Sequence, residues 1–388
     1  MRIAGVVAEY NPFHNGHKYH LEQTRLMGAT HIVAVMSGAV VQRGDIAVAD
    51  KFERARVAVE NGADLVIELP CPYSCSSAER FASAAIQLLA GLGEDTVSML
   101  SFGCETDDIR ILRKGAQLSL ELSDSQLVRD QLEKGVSYPA AMAAAAGIPA
   151  MARVFESPND LLAIEYIKAI GKYCPRVEPV PVRRSGAAHD SSMTSKNIAS
   201  ASHIRELIAA GEDYDDFVPS KLSGEPFLLE NSAKAVLLKI MTAETSELSR
   251  LPDMTSHLVR RFINTRDTQC ELIRCPEDFA RLFKNRSITL ARVRRMIMYL
   301  SLGVTSRDLF DVPYGRILAF NDRGREILAA SRETSVGYDT SLSKLEKISS
   351  RAARISELER CAVNLQQLSV KGRPDFVSDY TRKIVLLR

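Results

Sequence analysis

Three histidines stand at intervals of three, His14, His17 and His20, with Gly16 between the first two. On a helix, residues three apart share a face, with Cβ atoms roughly 5–6 Å apart. Two imidazole donors beside a helix start suit a phosphate whose charge grows as a bond breaks. His-x-x-His-x-x-His is also a metal half-site, which makes zinc the rival ligand. No Asp, Glu or Cys joins the cluster locally, which favours phosphate. Histidines with no chemistry, in a core or on a surface, are the plain alternative.

The elements around the histidines decide between these readings. Residues 1–8 form an apolar run, Arg2 apart, long enough for a buried strand, and 16–27 read as a helix. Between them Asn11-Pro12 marks a turn, and His14-Asn15-Gly16-His17 follows at once. A strand that delivers a turn to a helix start is where a doubly wound sheet binds phosphates. The first backbone N–H groups there have no partners, and the helix dipole favours an anion. This arrangement looks like the signature of the nucleotidylyltransferase superfamily.

The alternation continues along the chain. Strands are predicted over 31–37, 63–69, 95–102 and 177–182, and helices over 50–61, 77–89, 107–146 (broken near Gly135 and Pro139) and 161–171. Ser157 or Asn159 caps the last of these, with Pro158 in its first turn. A further helix starts near 200, capped by Ser200 or Ser202, after a small, polar stretch, 187–199, predicted to be a mobile loop. The pattern predicts an α/β fold, a Rossmann-like doubly wound parallel sheet, followed by a smaller mostly helical domain. There is no Walker-type phosphate loop. The Gly91-Leu92-Gly93 pair precedes a predicted strand, so it does not mark a dinucleotide site.

At 388 residues the chain fits two domains, and a shift in composition near 218–226 divides it into 1–220 and 227–388. The net charge of +2 hides an asymmetry: residues 1–230 carry 22 Lys+Arg against 30 Asp+Glu, and 231–388 carry 28 against 18. A basic second part on an acidic nucleotide-binding part implies a polyanionic partner. Arg292, Arg294 and Arg295 fall on one predicted helix, a ridge on which an RNA backbone can lie, or else a solvated face. Seven cysteines without a Cys-x-x-Cys pair predict free thiols and a cytoplasmic protein, with Cys104 a small buried thiol rather than a nucleophile. No secretory leader is expected, because Glu9 interrupts the N-terminal apolar run. The longest uncharged stretch, 135–152, holds two prolines and two glycines and makes a poor membrane span.

Several motifs together resemble the bacterial tRNA(Met) cytidine acetate ligases. They are Glu9-Tyr-Asn-Pro-Phe-His-Asn-Gly-His17, Met36-Ser-Gly38 with Gln42-Arg-Gly44, and Asp64-Leu-Val-Ile-Glu-Leu-Pro70. Ser157-Pro-Asn-Asp160, Ser200-Ala-Ser-His-Ile-Arg205 and 284–303 extend the likeness over most of the chain. The resemblance implies an enzyme that activates acetate with ATP as acetyl-adenylate and acetylates the N4 amine of the wobble cytidine of elongator tRNA(Met). It implies an ATP site of Val7, Ala8, Glu9, Tyr10, Asn11, Pro12, Phe13, His14, Asn15, Gly16, His17, Lys18, Tyr19 and His20, with Gly103, Asn159 and either Arg184 or Arg183. His14 and His17 are the implied catalytic pair. The family has an aromatic residue before a His-Asp pair, where this chain has Ala188 before His189-Asp190. Magnesium is expected to arrive with ATP, since no dedicated carboxylate site stands out. No obligate protein partner is evident. A small-molecule nucleotidylyltransferase and a non-catalytic RNA-binding protein are the rival readings; the long basic second part argues against the first, and the intact His-x-Gly-His against the second.

Overall fold

The computed structural model describes residues 1–184, 197–331 and 334–387. In its first half the strands are β1 (Ile3–Ala8), β2 (His31–Ser37), the short hairpin β3 (Val40–Val41) and β4 (Asp45–Ile46), β5 (Leu65–Leu69), β6 (Met99–Cys104) and β7 (Glu178–Arg183). All but the hairpin lie side by side and parallel in the order β5-β2-β1-β6-β7. Alternate residues feed opposite faces: Val33, Val35, Leu65, Ile67, Leu100 and Phe102 one way, Ala4, Val6, Ile32, Ala34, Met36 and Val66 the other. Both faces are covered, so the strands read as nearly continuous apolar runs. The order reverses between β1 and β6, and ligands of such sheets bind at the carboxyl ends of the strands at that switch point.

The helices that return the chain are α1 (Asn15–Leu26), α2 (Lys51–Glu60), α3 (Ala78–Ala90), α4 (Ile109–Leu122), α5 (Gln126–Glu133), α6 (Tyr138–Ala146), α7 (Pro149–Glu156), α8 (Pro158–Tyr173) and α9 (Ala201–Ala210). The caps left open by the sequence are settled: Ser157 accepts from Asp160 N at 3.3 Å and Ser200 from His203 N at 3.1 Å. Most of the predicted mobile stretch 187–199, including Ala188, His189 and Asp190, lies outside the described residues.

The second half is mostly helical: α10 (Ala233–Thr242), α11 (Thr245–Leu248), α12 (Ser256–Thr268), α13 (Pro276–Phe283), α14 (Leu290–Leu302), α15 (Asp322–Ala330), α16 (Leu342–Leu345) and α17 (Ser350–Leu368). It also enters the sheet. Strand β8 (Tyr314–Phe320) pairs antiparallel with β5, and β9 (Gly337–Asp339) and β10 (Val385–Leu386) pair parallel with β8. One apolar cluster runs from Leu100 and Phe102 on the sheet to Phe262, Phe279 and Phe283 in the helical part. The expected linker is anchored at its ends and exposed between them: Val218 is buried beside Val48 and Ile208, Phe227 N donates to Val48 O at 2.9 Å, and Lys221, Ser223, Gly224 and Glu225 are exposed.

The three α14 arginines expected to form a ridge are half-buried and have partners within the chain. Arg294 forms a two-pronged pair with Glu277 at 2.9 and 2.7 Å, Arg295 donates to Gln42 O at 3.3 Å, and Arg292 to Asp253 O at 3.1 Å. Gly44 explains the close approach. Its φ of +78° is left-handed, and a Cβ there would lie 2.5 Å from the Arg294 carbonyl carbon. The α14 backbone therefore docks on the β3/β4 hairpin, and Arg295 fastens the contact through the Gln42 carbonyl. All seven cysteines are free thiols. Cys104 is buried, which pushes its thiol up to about 12, so it is no nucleophile at neutral pH. Among the described residues no helix is long and apolar enough to cross a membrane.

Candidate functional site

His14 is the N-cap of α1, in extended backbone, and its Nδ1 accepts from Gly16 N at 3.0 Å. His17 reaches back, its Nδ1 accepting from His14 N at 3.2 Å. The two rings stack with centroids 3.8 Å apart. Because each Nδ1 accepts a backbone N–H, each neutral ring carries its proton on Nε2. Burial, aided by Arg184 and Arg205, lowers His14 to about 3. Burial and the neighbouring His14 hold His17 well below the ordinary histidine value. Both are therefore neutral Nε2–H donors at pH 7, fixed in orientation by the helix they cap. Gly16 is required between them, since a Cβ there would sit 2.8 Å from His14 Cε1.

His20 is held differently. Its Nε2 lies 2.9 Å from Ser101 Oγ, which lies 2.7 Å from Thr24 Oγ1, and that hydroxyl donates to His20 O at 2.8 Å. The proton count closes if His20 donates to Ser101 and Ser101 to Thr24. His20 thus ties α1 to β6, and burial lowers it to about 4.

Together with the ends of β1, β6 and β7 and the starts of α1, α8 and α9, these rings line a cavity of about 240 Å³. Three helix N-termini face it, so it favours an anion. Arg184 leaves β7 beside Gly103 and is close enough to depress all three histidines. Arg183 also lines the cavity but turns toward Asp107, at 3.6 Å, with its side chain 73% exposed. Arg205 on α9 donates to Asn11 O at 2.9 Å and Ser202 Oγ at 3.1 Å. Asn159 lines the cavity and donates to Glu105 at 2.6 Å. Glu9 is the one carboxylate among the described lining residues, and its Oε1 accepts from Gln42 N at 2.8 Å. Beneath the site the buried Arg54 donates to the carbonyls of Glu9, Ser37, Gly38 and Ala49 and gathers the ends of β1 and β2.

Of the residues expected at the site, Val7, Ala8, Glu9, His14, Gly16, His17, Tyr19, His20, Gly103, Asn159, Arg183 and Arg184 line the cavity. Tyr10, Asn11, Pro12 and Phe13 are buried behind it instead; Tyr10 packs edge-on against His17 at 4.9 Å, and Asn11 Oδ1 accepts from Val48 N at 2.8 Å. Asn15 donates to Asn197 O and Asp216 O, and Lys18 is exposed and off the lining. Arg205, Ser202, Phe102 and Tyr166 line the cavity without having been expected. For Arg205 a signal existed, the Ser-x-Ser-x-x-Arg helix start. The apolar pair carries none apart from the strand and helix that bear it. Among the described residues no three His, Cys, Asp or Glu side chains are grouped to hold a metal ion.

The family model described as HIGH Nucleotidyl Transferase matches residues 1–375. The tRNA(Met) cytidine acetate ligase of Acetivibrio thermocellus is 33% identical, with both chains covered in full. That of Alkaliphilus metalliredigens is 31% identical, over 96% of this chain and 95% of its own. Crystal structures of Thermotoga maritima TmcAL cover both chains in full: apo, at a TM-score of 0.90 and 28% identity, and bound with alpha-thio ATP, at 0.88 and 27%. The histidine-capped turn at the switch point, the match to the family model and these full-length likenesses agree: the chain belongs to the HIGH nucleotidyl transferase family and, within it, to the tRNA(Met) cytidine acetate ligases.

Proposed function

We propose that the chain is an ATP-dependent ligase that joins acetate to the N4 amine of the wobble cytidine of elongator tRNA(Met). The observation that carries this reading is the pair of neutral, helix-capping histidines, His14 and His17, whose Nε2–H groups face an anion-favouring cavity at the switch point. An acetate oxygen attacks the α-phosphorus of ATP, and the bond to the bridging oxygen breaks to release pyrophosphate. The cytidine amine then attacks the acetyl carbon of the adenylate, AMP departs with its phosphate oxygen, and the amine proton is lost to solvent. Neither step needs a covalent enzyme nucleophile; both need alignment and charge stabilisation.

His14 and His17 donate to phosphate oxygens as charge grows on them, and Arg184 supplies a planar fork to the same group. Arg183, turned to Asp107, is the weaker candidate for that clamp. His20, Gly103 and Asn159 shape the cavity around the nucleotide. Magnesium bound to ATP would offset phosphate charge, and Glu9, the carboxylate among the described lining residues, would be the side chain to help hold it. Chemistry resides in 1–220, and 227–388 anchors the tRNA through its excess of cations. Free thiols, ATP and tRNA all fit a cytoplasmic setting. ATP–pyrophosphate exchange measured with and without acetate tests the first step, and mass spectrometry of digested tRNA tests the second. Exchange that requires acetate, followed by acetyl on a cytidine amine, is expected. Adenylylation of the acceptor would mean a small-molecule nucleotidylyltransferase instead.

A further inference from the structure

A second cavity, of about 370 Å³, lies against the first and has Glu9, Arg43, Ser202 and Arg205 in common with it. We infer that this second cavity receives the cytosine ring of the acceptor RNA, unstacked from its neighbours, and presents its N4 amine to the adenylate across those shared side chains. The inference rests on the function proposed above. A base in a stack cannot bring its exocyclic amine to an acyl phosphate inside a cleft, so enzymes acting on bases take them out into a pocket. Such a pocket needs apolar surface for the ring faces and polar groups for its edge.

Both are present. Phe227, Leu228 and Ile46 supply the apolar surface. Cytosine offers an N4–H₂ donor beside acceptors at N3 and O2, and a carboxylate is the side chain that takes the N4 hydrogens. Asp45 and Glu9 stand on the lining as carboxylates, with the guanidiniums of Arg43 and Arg205 beside them as donors. Ser202 Oγ lies at the junction and accepts from Arg43 at 3.0 Å and Arg205 at 3.1 Å. Uracil would set its O4 against a carboxylate and be repelled, so the pocket selects cytosine. The lining sets four carboxylates, Glu9, Asp45, Glu206 and Glu230, against three guanidiniums, Arg43, Arg205 and Arg294, the last held by Glu277, and this balance favours a neutral base over a phosphate. The space is also far larger than a two-carbon anion needs, which argues against an acetate store.

Ala209 separates the two cavities experimentally. It is exposed, lines the second cavity and is absent from the lining of the first. Ala209→Trp fills the second cavity from the solvent side. Acetate-dependent ATP–pyrophosphate exchange is expected to stay within about twofold of the unmodified protein, while acetyl transfer to tRNA falls by about tenfold or more. Asp45→Asn, which keeps an acceptor for Ile46 N, reads the base itself. Anticodon stem-loops with cytidine or uridine at the wobble position are compared for binding without ATP. The unmodified protein is expected to prefer cytidine by about tenfold, and the variant to lose that preference. Undiminished transfer by Ala209→Trp, or a cytidine preference kept by Asp45→Asn, overturns the inference. Absence of acetate-dependent exchange in the unmodified protein would instead overturn the ligase reading, and the stem-loop comparison would still decide the pocket.

Discussion

At the scale of single residues, the side chains that cap α1 also face the nucleotide cavity, and substitution can separate the two tasks. Asn is as good an N-cap as any residue but has no imidazole Nε2–H. His14→Asn should therefore keep the thermal midpoint while acetate-dependent exchange falls by about 10²–10³-fold, the usual effect of losing one such donor. His14→Ala should lose both the rate and roughly 0.5–2 kcal/mol of stability. Near-normal exchange in the Asn variant would reduce His14 to a cap. The histidines also set an acid limit. Burial lowers His14 to about 3 and His20 to about 4. The unfolded chain takes up these protons below about 6.5 and the folded chain does not. Their contribution is therefore full above pH 6.5 or so and is lost as pH falls toward the folded values. Denaturation midpoints measured from about pH 7.5 down to 5 should fall, and His20→Gln should flatten that slope. An unchanged slope would mean that His20 already titrates normally in the folded chain.

At the scale of elements, what was legible in the sequence was whatever rests on local period and punctuation. The strand, Pro turn and helix of residues 3–26 read correctly because apolar spacing and a cap are short-range signals. Tyr10 to Phe13 carried the same motif, yet their side chains turn into the core behind the histidines, and a linear string does not say which way a turn faces. Strand β8 pairs with β5 across roughly 250 residues of chain, and no local pattern marks an antiparallel partner so distant. The partners of the α14 cations were illegible for a related reason: spacing placed the arginines on one helix, but Glu277 and the hairpin beneath them were not in view. Lys284 and Arg286 of the same region are exposed, and they test whether this part anchors RNA. Replacing both by Gln should weaken tRNA binding and reduce its log–log salt slope by about 0.7–0.9 per lost phosphate contact, with exchange unaffected. An unaltered slope would place the RNA elsewhere.

At the scale of the whole molecule, a buried group of charges joins the two halves that composition had set apart. Lys51 on α2 contacts Glu68 on β5, Glu359 on α17 at 3.1 Å and Asp379 near the C-terminus at 2.8 Å, and Arg316 on β8 pairs with Asp379 at 2.8 Å. Glu359 also accepts from Ala39 N at 3.2 Å and Cys71 N at 2.7 Å, both next to strand ends that lead to the site. Two cations face three carboxylates, all almost wholly buried. Burial and the neighbouring Glu359 push Glu68 up to about 8, so its proton balances the group at neutral pH. An unfolded glutamate gives up that proton above about 4.3, whereas the folded chain keeps it until about 8. Stability from Glu68 is thus full below the unfolded value and lost as pH rises through the folded one. Glu68→Gln keeps a neutral donor there but has no proton to lose in the unfolded chain, so it should gain stability over the unmodified protein as pH rises from about 5 to 8 and hold that gain above. Lys51→Met should destabilise by roughly 3–5 kcal/mol, because it strands carboxylates without their cation. Denaturant unfolding at several pH values checks both. A Glu68→Gln variant no more stable than the unmodified protein at pH 7 would assign the proton to another member of the group, and a Lys51→Met protein of normal stability would mean that packing, not charge, holds the halves together.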